Sequence, residues 1–511
     1  MKKFILLPLI IVLLGGFLFC LNQSAIAAQK SKSGGILRMN TAKSVANFGD
    51  PVTARGAYAI FATYCLEGLV QLSNEKMGTY EPLLASSWDL APDKSHLIFH
   101  LRKGVKFHDG TEFNAEATKW NTDRWIEAKR SQVDSIRSID VIDHHTIRVN
   151  LKLWDRTVLN AFAQNVAMIS PTAFQKNGQK WSALNPVGTG PFKVEDFKRD
   201  IHIKFVRNPD YWNKGLPYLD GIFYTMVPDP MTAKAMIIKG ELDLWTYAEP
   251  ISAEELKKTG EFVVTPGLGP HSVFSFNSKD PTSPWSDKRM RMAFEYAINK
   301  EAIWNAVGRG FRQPLYEVVG GIPPTPGIEK RKYNPEKARQ LVKEAGYEGI
   351  TVELLFFGVP EYRTFVSPVQ RYLSEIGINM TLKPLTLGPM FQYIFGKKLK
   401  AGDICLGPLF GSPGTLFADA KRSWHSDSLL YQMSPKPEGY MALLNQAMTA
   451  ETIDQGIKYL QQMDRLLRDD VVIVPFGIYN PATVARPYVK DFYDIHGGST
   501  LPKAQWAWLD K

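Results

Sequence analysis

Cysteine is nearly missing from this chain: there are three in 511 residues, and Cys20 falls inside an apolar opening run. A cross-linked scaffold is excluded. Cys65 and Cys405 remain, far apart in sequence. One long-range disulfide is open to them in an oxidising compartment, while their apolar neighbours (Tyr64 and Leu66, Ile404 and Leu406) favour packed free thiols. Histidine is sparse too, nine in all, and His144-His145 are adjacent, which removes the helical i,i+4 metal pair. Neither Gly188-Thr-Gly190 nor Gly411-Ser-Pro-Gly414 has the Gly-x-Ser-x-Gly spacing of a nucleophile turn. Gly308-Arg-Gly310 lacks the rest of a dinucleotide fingerprint and reads as a helix end. His108-Asp109, followed by Gly110, reads as a surface turn. We find no clustered basic stripe of the kind nucleic acid requires, no internal repeat and no low-complexity tract. No cofactor, metal site or nucleic-acid partner is expected.

What is present begins with an address. Lys2 and Lys3 precede an apolar run from Phe4 to Leu21, and Ala25-Ile26-Ala27 follows as a cleavage pattern. Residues 1–27 read as a secretory signal peptide. Phe19 stands where lipoprotein processing wants a small residue before Cys20, so a soluble exported protein is expected. The mature chain of about 484 residues exceeds the size at which a single core stops growing, so two or three domains are expected. The formal charge of +10 falls by two with the leader. The remaining excess is modest and dispersed among acids, as on an ordinary solvated exterior.

The periodicities alternate between strand and helix. Ile36–Asn40, 97–101, 146–153 and 271–277 alternate with period two, and Val471–Val474 reads as a further short strand. Asn114 is placed to cap a helix. Asp229-Pro230 opens another that Gly240 stops, and Asn334-Pro335 opens a third that Gly346 stops. Apolar stripes predict helices over 290–298, 362–376 and 453–467. Strands interspersed with helices indicate a mixed α/β chain of more than one lobe. The 12 tryptophans, 20 tyrosines and 28 phenylalanines supply core and interface packing, with some rings available to line an organic-ligand pocket.

Several long segments carry a resemblance. Pro82–Trp88, the run Phe99–Ala115 (FHLRKGVKFHDGTEFNA), Asn185–Phe192 (NPVGTGPF), Arg207–Gly215 (RNPDYWNKG), Val273–Asn277, Arg289 with Arg291-Met-Ala-Phe294, and Tyr333–Ala338 occur in that order. Together they resemble the extracellular solute-binding proteins of family 5, the peptide and nickel receptors of ABC importers. The resemblance implies a two-lobed periplasmic binding protein fold (type II, cluster C) with an extra inserted domain. By analogy, residues 34–64, 186–270 and 481–511 form a base lobe, 65–185 the inserted domain, and 271–480 the second major lobe. It implies a monomer in the periplasm that captures a peptide or other small-molecule solute. The solute would pass unchanged to a cognate ABC permease in the inner membrane. Two other classes compete: an exported hydrolase, whose nucleophile or paired carboxylates no spacing reveals, and a periplasmic chaperone or scaffold with broad weak peptide binding.

In peptide-binding relatives, the stretch corresponding to Asp403–Ser412 carries an aromatic residue and then an aspartate that pairs with the peptide amino terminus. Here it reads Leu409-Phe410-Gly411-Ser412, with no acid until Asp419. A buried ammonium without a carboxylate is costly, so a carboxylated non-peptide solute competes with a peptide. Nickel is disfavoured because no histidine lies in 403–412. Phe410 is the expected pocket wall. Arg363, beside Tyr362 at the start of an amphipathic helix, is the expected bidentate grip on a carboxylate. Asn40, Tyr64, Phe276 and Phe356 complete the candidate set from strand ends and lobe boundaries.

Overall fold

The computed structural model describes residues 33–42, 47–54, 61–73, 76–267, 269, 271–396, 398–492 and 504–511. The proposed signal peptide lies outside them. No helix of the described residues is long and apolar enough to cross a membrane.

Three larger sheets organise the chain. The first has seven strands, drawn from Ile36–Thr41, Phe192–Lys198, His202–Arg207, Gly221–Met226, Leu244–Ala248, Val263–Pro266 and Ala482–Ala485. The second has four, between Ala85 and Leu151. The third has six, including His271–Phe276, Thr351–Phe357, Asn379–Leu385, Asp403–Leu409 and Val474–Ile478. Each carries its own apolar core.

The local signals act where their chemistry is local. The Asn114, Asp229 and Asn334 side chains accept the amides of Ala117, Thr232 and Lys337, and Gly240 and Gly346 close their helices in left-handed conformation. Two strand ends are corrected. Thr146–Leu151 stops before Leu153, which is 70% exposed. The expected strand Val471–Val474 instead begins at Val474. The helix Ile453–Asp469 runs further than its stripe, and Val471 turns back with φ +51° so that the Val472 amide reaches the Leu467 carbonyl.

The Asn185–Phe192 motif is a strut. Gly188 and Gly190 press against the backbone of Cys65, where an added Cβ would lie 2.2 Å from its carbonyl oxygen at Gly188. Between them, Thr189 donates to the buried Glu67 carboxylate at 2.8 Å. Tyr211 (2.7 Å) and Trp212 (2.9 Å) from the Arg207–Gly215 motif donate to the same carboxylate. The two motifs converge on one acid and pin the unit built on the second sheet to the unit built on the first. His108 adds a clasp, with Nε2 3.0 Å from the Gly190 carbonyl, so the expected turn is also an anchor. The second unit meets the third through Lys421–Asp155 (2.5 Å) and through Arg156, whose amide donates to Met448.

Two adjacent crossovers, one containing Gly267 and Gly269 and the other at 479–481, join the first and third units. Gly267 N–H donates to the Pro481 carbonyl at 2.6 Å and Gly269 N–H to Asn480 Oδ1 at 3.1 Å. A Cβ on Gly269 would sit 1.5 Å from the Tyr479 carbonyl oxygen, so only glycine allows the two segments to lie this close.

Candidate ligand cleft

The strand register locates the cleft. Val263–Pro266 runs into the first crossover, and Ala482–Ala485 runs out of the second, antiparallel to it. Leu244–Ala248 is antiparallel to Ala482–Ala485, and Ile36–Thr41 and Gly221–Met226 are parallel to Leu244–Ala248 in turn. All three therefore end on the side facing the third unit. There, His271 leaves the crossover opposite Leu409 and Ile478. Asp403–Leu409, Thr351–Phe357 and Asn379–Leu385 share one direction, so their carboxyl ends face the first unit. Two sets of strand carboxyl ends oppose each other across a hinge, the position at which α/β sheets bind ligands.

Arg363 and Phe410 lie on this face. Arg363 is exposed in the first turn of the helix Pro360–Ser374, which follows Thr351–Phe357. Phe410 is half-buried immediately after Leu409 and supports the guanidinium of Arg422, 3.5 Å above its ring centroid. Neither arginine makes an ion pair among the described residues. Arg422 escaped sequence reading because only the turn at 412–415 folds its helix back over Phe410. Tyr362 is half-buried, its ring 5.0 Å from Phe365, and supports the helix more than it faces the cleft.

Asp419, the first acid after Phe410, is already engaged. Its Oδ2 accepts the Ser412 amide at 3.0 Å and the Thr415 hydroxyl at 2.7 Å. Burial raises its pKa against the pull of those bonds. The carboxylate braces the loop that presents Phe410.

Four of the expected residues are buried. Phe276 is fully buried because it ends a strand whose first residue, His271, is the one at the hinge; it lines only a cavity of about 20 Å³. Phe356 turns into the core beneath its helix, with no exposed surface. Tyr64 is 1% exposed, its hydroxyl 2.7 Å from that of Tyr224. Asn40 stands at a cleft-facing strand end, but its Oδ1 accepts the Thr246 amide at 3.1 Å, and it is sealed beneath that strand pair.

Three further features belong to this face. Tyr247 is 51% exposed at the end of its strand with φ +59°, at an irregularity between Trp245 and Ala248. A left-handed tyrosine is uncommon and is held by its surroundings. His271 is buried, its imidazole pushed down to about 4 by desolvation, and its Nδ1 has no hydrogen-bond partner among the described residues. The register thus sets a histidine beside a segment that contains none. At the hinge, Glu361 accepts from both Arg312 and the Tyr479 hydroxyl, and the Arg312 guanidinium lies 3.8 Å over the Tyr479 ring. Phe311, next to Arg312, is buried in an apolar cluster of the first unit.

Residues 79–403 match the model of bacterial extracellular solute-binding proteins, family 5 Middle. The glutathione-binding protein GsiB of Shigella flexneri is 31% identical over 392 residues, covering 69% of this chain and 74% of that protein. The chain belongs to family 5 of the bacterial extracellular solute-binding proteins. Solved structures share the fold of this family 5 protein. The periplasmic binding protein DppA from Helicobacter pylori, in complex with peptide STSA, superposes with a TM-score of 0.79 at 23% identity, covering 94% of this chain and 99% of that one. NikA from Brucella suis, in complex with Fe(III)-EDTA, gives 0.82 at 23% identity, covering 93% and 100%. The family 5 protein is thus a two-lobed binding protein, the substrate-binding component of an ABC importer and not an enzyme.

Proposed function

We propose that this protein captures a small carboxylated organic solute, a short peptide or peptide-like acid, and hands it unchanged to a cognate ABC permease in the inner membrane. It would do so in the periplasm as a monomer, after loss of residues 1–27. Residues 34–64, 186–270 and 481–511 would form the base lobe, 65–185 the inserted domain and 271–480 the second lobe. The way the three sheets divide the chain supports these boundaries.

One observation carries the ligand class: Asp419 spends its hydrogen bonds on Ser412 and Thr415, while Arg422 lies over Phe410 and feels Asp419 only through space, with no ion-pair contact among the described residues. The face is equipped for an anion more than for an ammonium group. Arg363 would supply a second grip on the same solute, and Tyr247 a ring from the opposite lobe. A solute touching both lobes stabilises the closed state through contacts it makes only there. The named ligands of the relatives fit this reading, since glutathione, a peptide and an EDTA complex all carry carboxylates.

Glutathione is the first probe, compared by calorimetry with its N-acetyl and carboxyl-esterified forms. Acetylation should cost little, and esterification should cost roughly 10- to 100-fold, the worth of a charge-assisted hydrogen bond. Arg363→Ala should weaken binding without moving the unfolding of the ligand-free protein. Native mass spectrometry of freshly purified protein covers solutes outside the panel. A co-purifying molecule without a carboxylate would overturn the assignment.

A further inference from the structure

We infer that Glu112, His144 and His145 form a binding site for a divalent transition-metal ion on the second unit, separate from the cleft. One potential ligand atom from each of the three residues lies within 4.8 Å of the other two. Glu112 Oε2 is 3.1 Å from His144 Nε2. The two imidazoles meet edge to face, centroids 4.6 Å apart at 74°, so they splay around a common point and do not stack flat. His145 Nδ1 is buried and has no hydrogen-bond partner among the described residues.

The backbone holds this arrangement before any ion arrives. His144 and His145 form the two-residue turn between the strands Ile136–Asp143 and Thr146–Leu151. The His144 carbonyl accepts the Ala115 amide at 3.0 Å, the His145 carbonyl accepts the Leu101 amide at 2.7 Å, and the His145 amide donates to Asp143 Oδ1 at 2.8 Å. The backbone of Glu112 is held by an isolated antiparallel β-bridge to that of Lys106. Adjacent histidines cannot share a helix face, but a hairpin turn presents both rings on one side, and a loop 32 residues earlier adds the carboxylate.

Two imidazole nitrogens and one carboxylate oxygen suit zinc, nickel or copper, whereas calcium and magnesium prefer oxygen alone. Bonds of about 2.0–2.2 Å place tetrahedral ligands about 3.3 Å apart. Rotation of the exposed Glu112 and His144 side chains closes the set around an ion, and water takes the open fourth position. Ion binding would cross-brace the 107–113 turn and the hairpin.

The test uses the full, tag-free mature protein stripped with chelator and titrated with Zn²⁺ by calorimetry, with Co²⁺ absorption as an independent readout of geometry. The expected result is one saturable site and a visible tetrahedral Co²⁺ band. Glu112→Gln and His144→Ala should each weaken it by roughly tenfold or more, and Zn²⁺ should raise the melting temperature of the parent only. Both residues are exposed, so the variants should unfold as the parent does without metal. Absence of saturable binding up to millimolar Zn²⁺, or a site whose affinity survives both substitutions, would overturn the inference.

Discussion

Glu295→Gln should unfold the third unit more easily than any surface change, by about 3 kcal/mol at neutral pH. Glu295 lies on the buried face of the helix Lys288–Ala297 with no exposed surface. Its Oε1 is 2.8 Å from Arg468 and 3.1 Å from Lys300, and its Oε2 is 3.1 Å from Arg331. Burial alone would push its pKa up, but Lys300, Arg468 and Arg331 outweigh burial and hold it down at about 2, against an ordinary 4.5. The folded state therefore holds fewer protons than the unfolded chain between those two values. The stabilisation is present above pH 4.5 and is lost as pH falls through about 2. A shift of that size corresponds to about 3 kcal/mol at 1.36 kcal/mol per unit. An independent route reaches the same range: removing one partner from a buried ion cluster costs about 3–5 kcal/mol, because the remaining charges stay desolvated. Lys300 and Arg468, each with side chains 2% exposed, would be those charges. Urea unfolding followed by tryptophan fluorescence at pH 7 and pH 3 measures both effects. The variant should lose most of its deficit at pH 3. A loss below about 1 kcal/mol at pH 7, or a deficit equal at both pH values, would refute the electrostatic account.

Glu67 should behave with the opposite sign. Burial raises its pKa to about 7 despite bonds from Tyr211, Trp212 and Thr189, so its contribution is full below pH 4.5 and fades as pH rises through 7; Glu67→Gln should flatten urea midpoints across that window. Tyr247→Gly should relieve a left-handed residue, raising the unfolding free energy from urea titration by up to about 1 kcal/mol, while weakening solute binding measured by calorimetry. Cys65 and Cys405 are both free and buried, and burial pushes the Cys405 thiol up to about 12. Both should ignore a thiol reagent in the native protein and react together on denaturation, whereas a mass two hydrogens lighter would reveal a disulfide.

Legibility followed the range of the interaction. Caps at Asn114, Asp229 and Asn334 were readable because a side chain and the amide three residues on are enough to make them. Gly188 and Gly190 stood out as a motif, but their purpose depends on Cys65, more than a hundred residues earlier. Arg363 was singled out by its place beside Tyr362 at the start of an amphipathic helix, and Phe410 by its position in the segment that resembles the family's cleft. The burial of Phe276 and Phe356 was not legible, because residues on one strand differ in which end and which face they occupy. Arg422 and Tyr247 carried no linear signal: one depends on a folded-back loop, the other on a backbone angle.

By itself, the order of residues determined a mixed α/β chain of family 5, with its helix starts, helix stops and long motifs. Those features arise from contacts within a few residues, or from segments long enough to be distinctive. Tertiary structure alone decided which strand ends face each other, which acid is spent on a loop and which cation is laid over an aromatic ring. Register and burial are set by partners hundreds of residues away, so the chemistry of the cleft exists only once both lobes have been brought to the hinge.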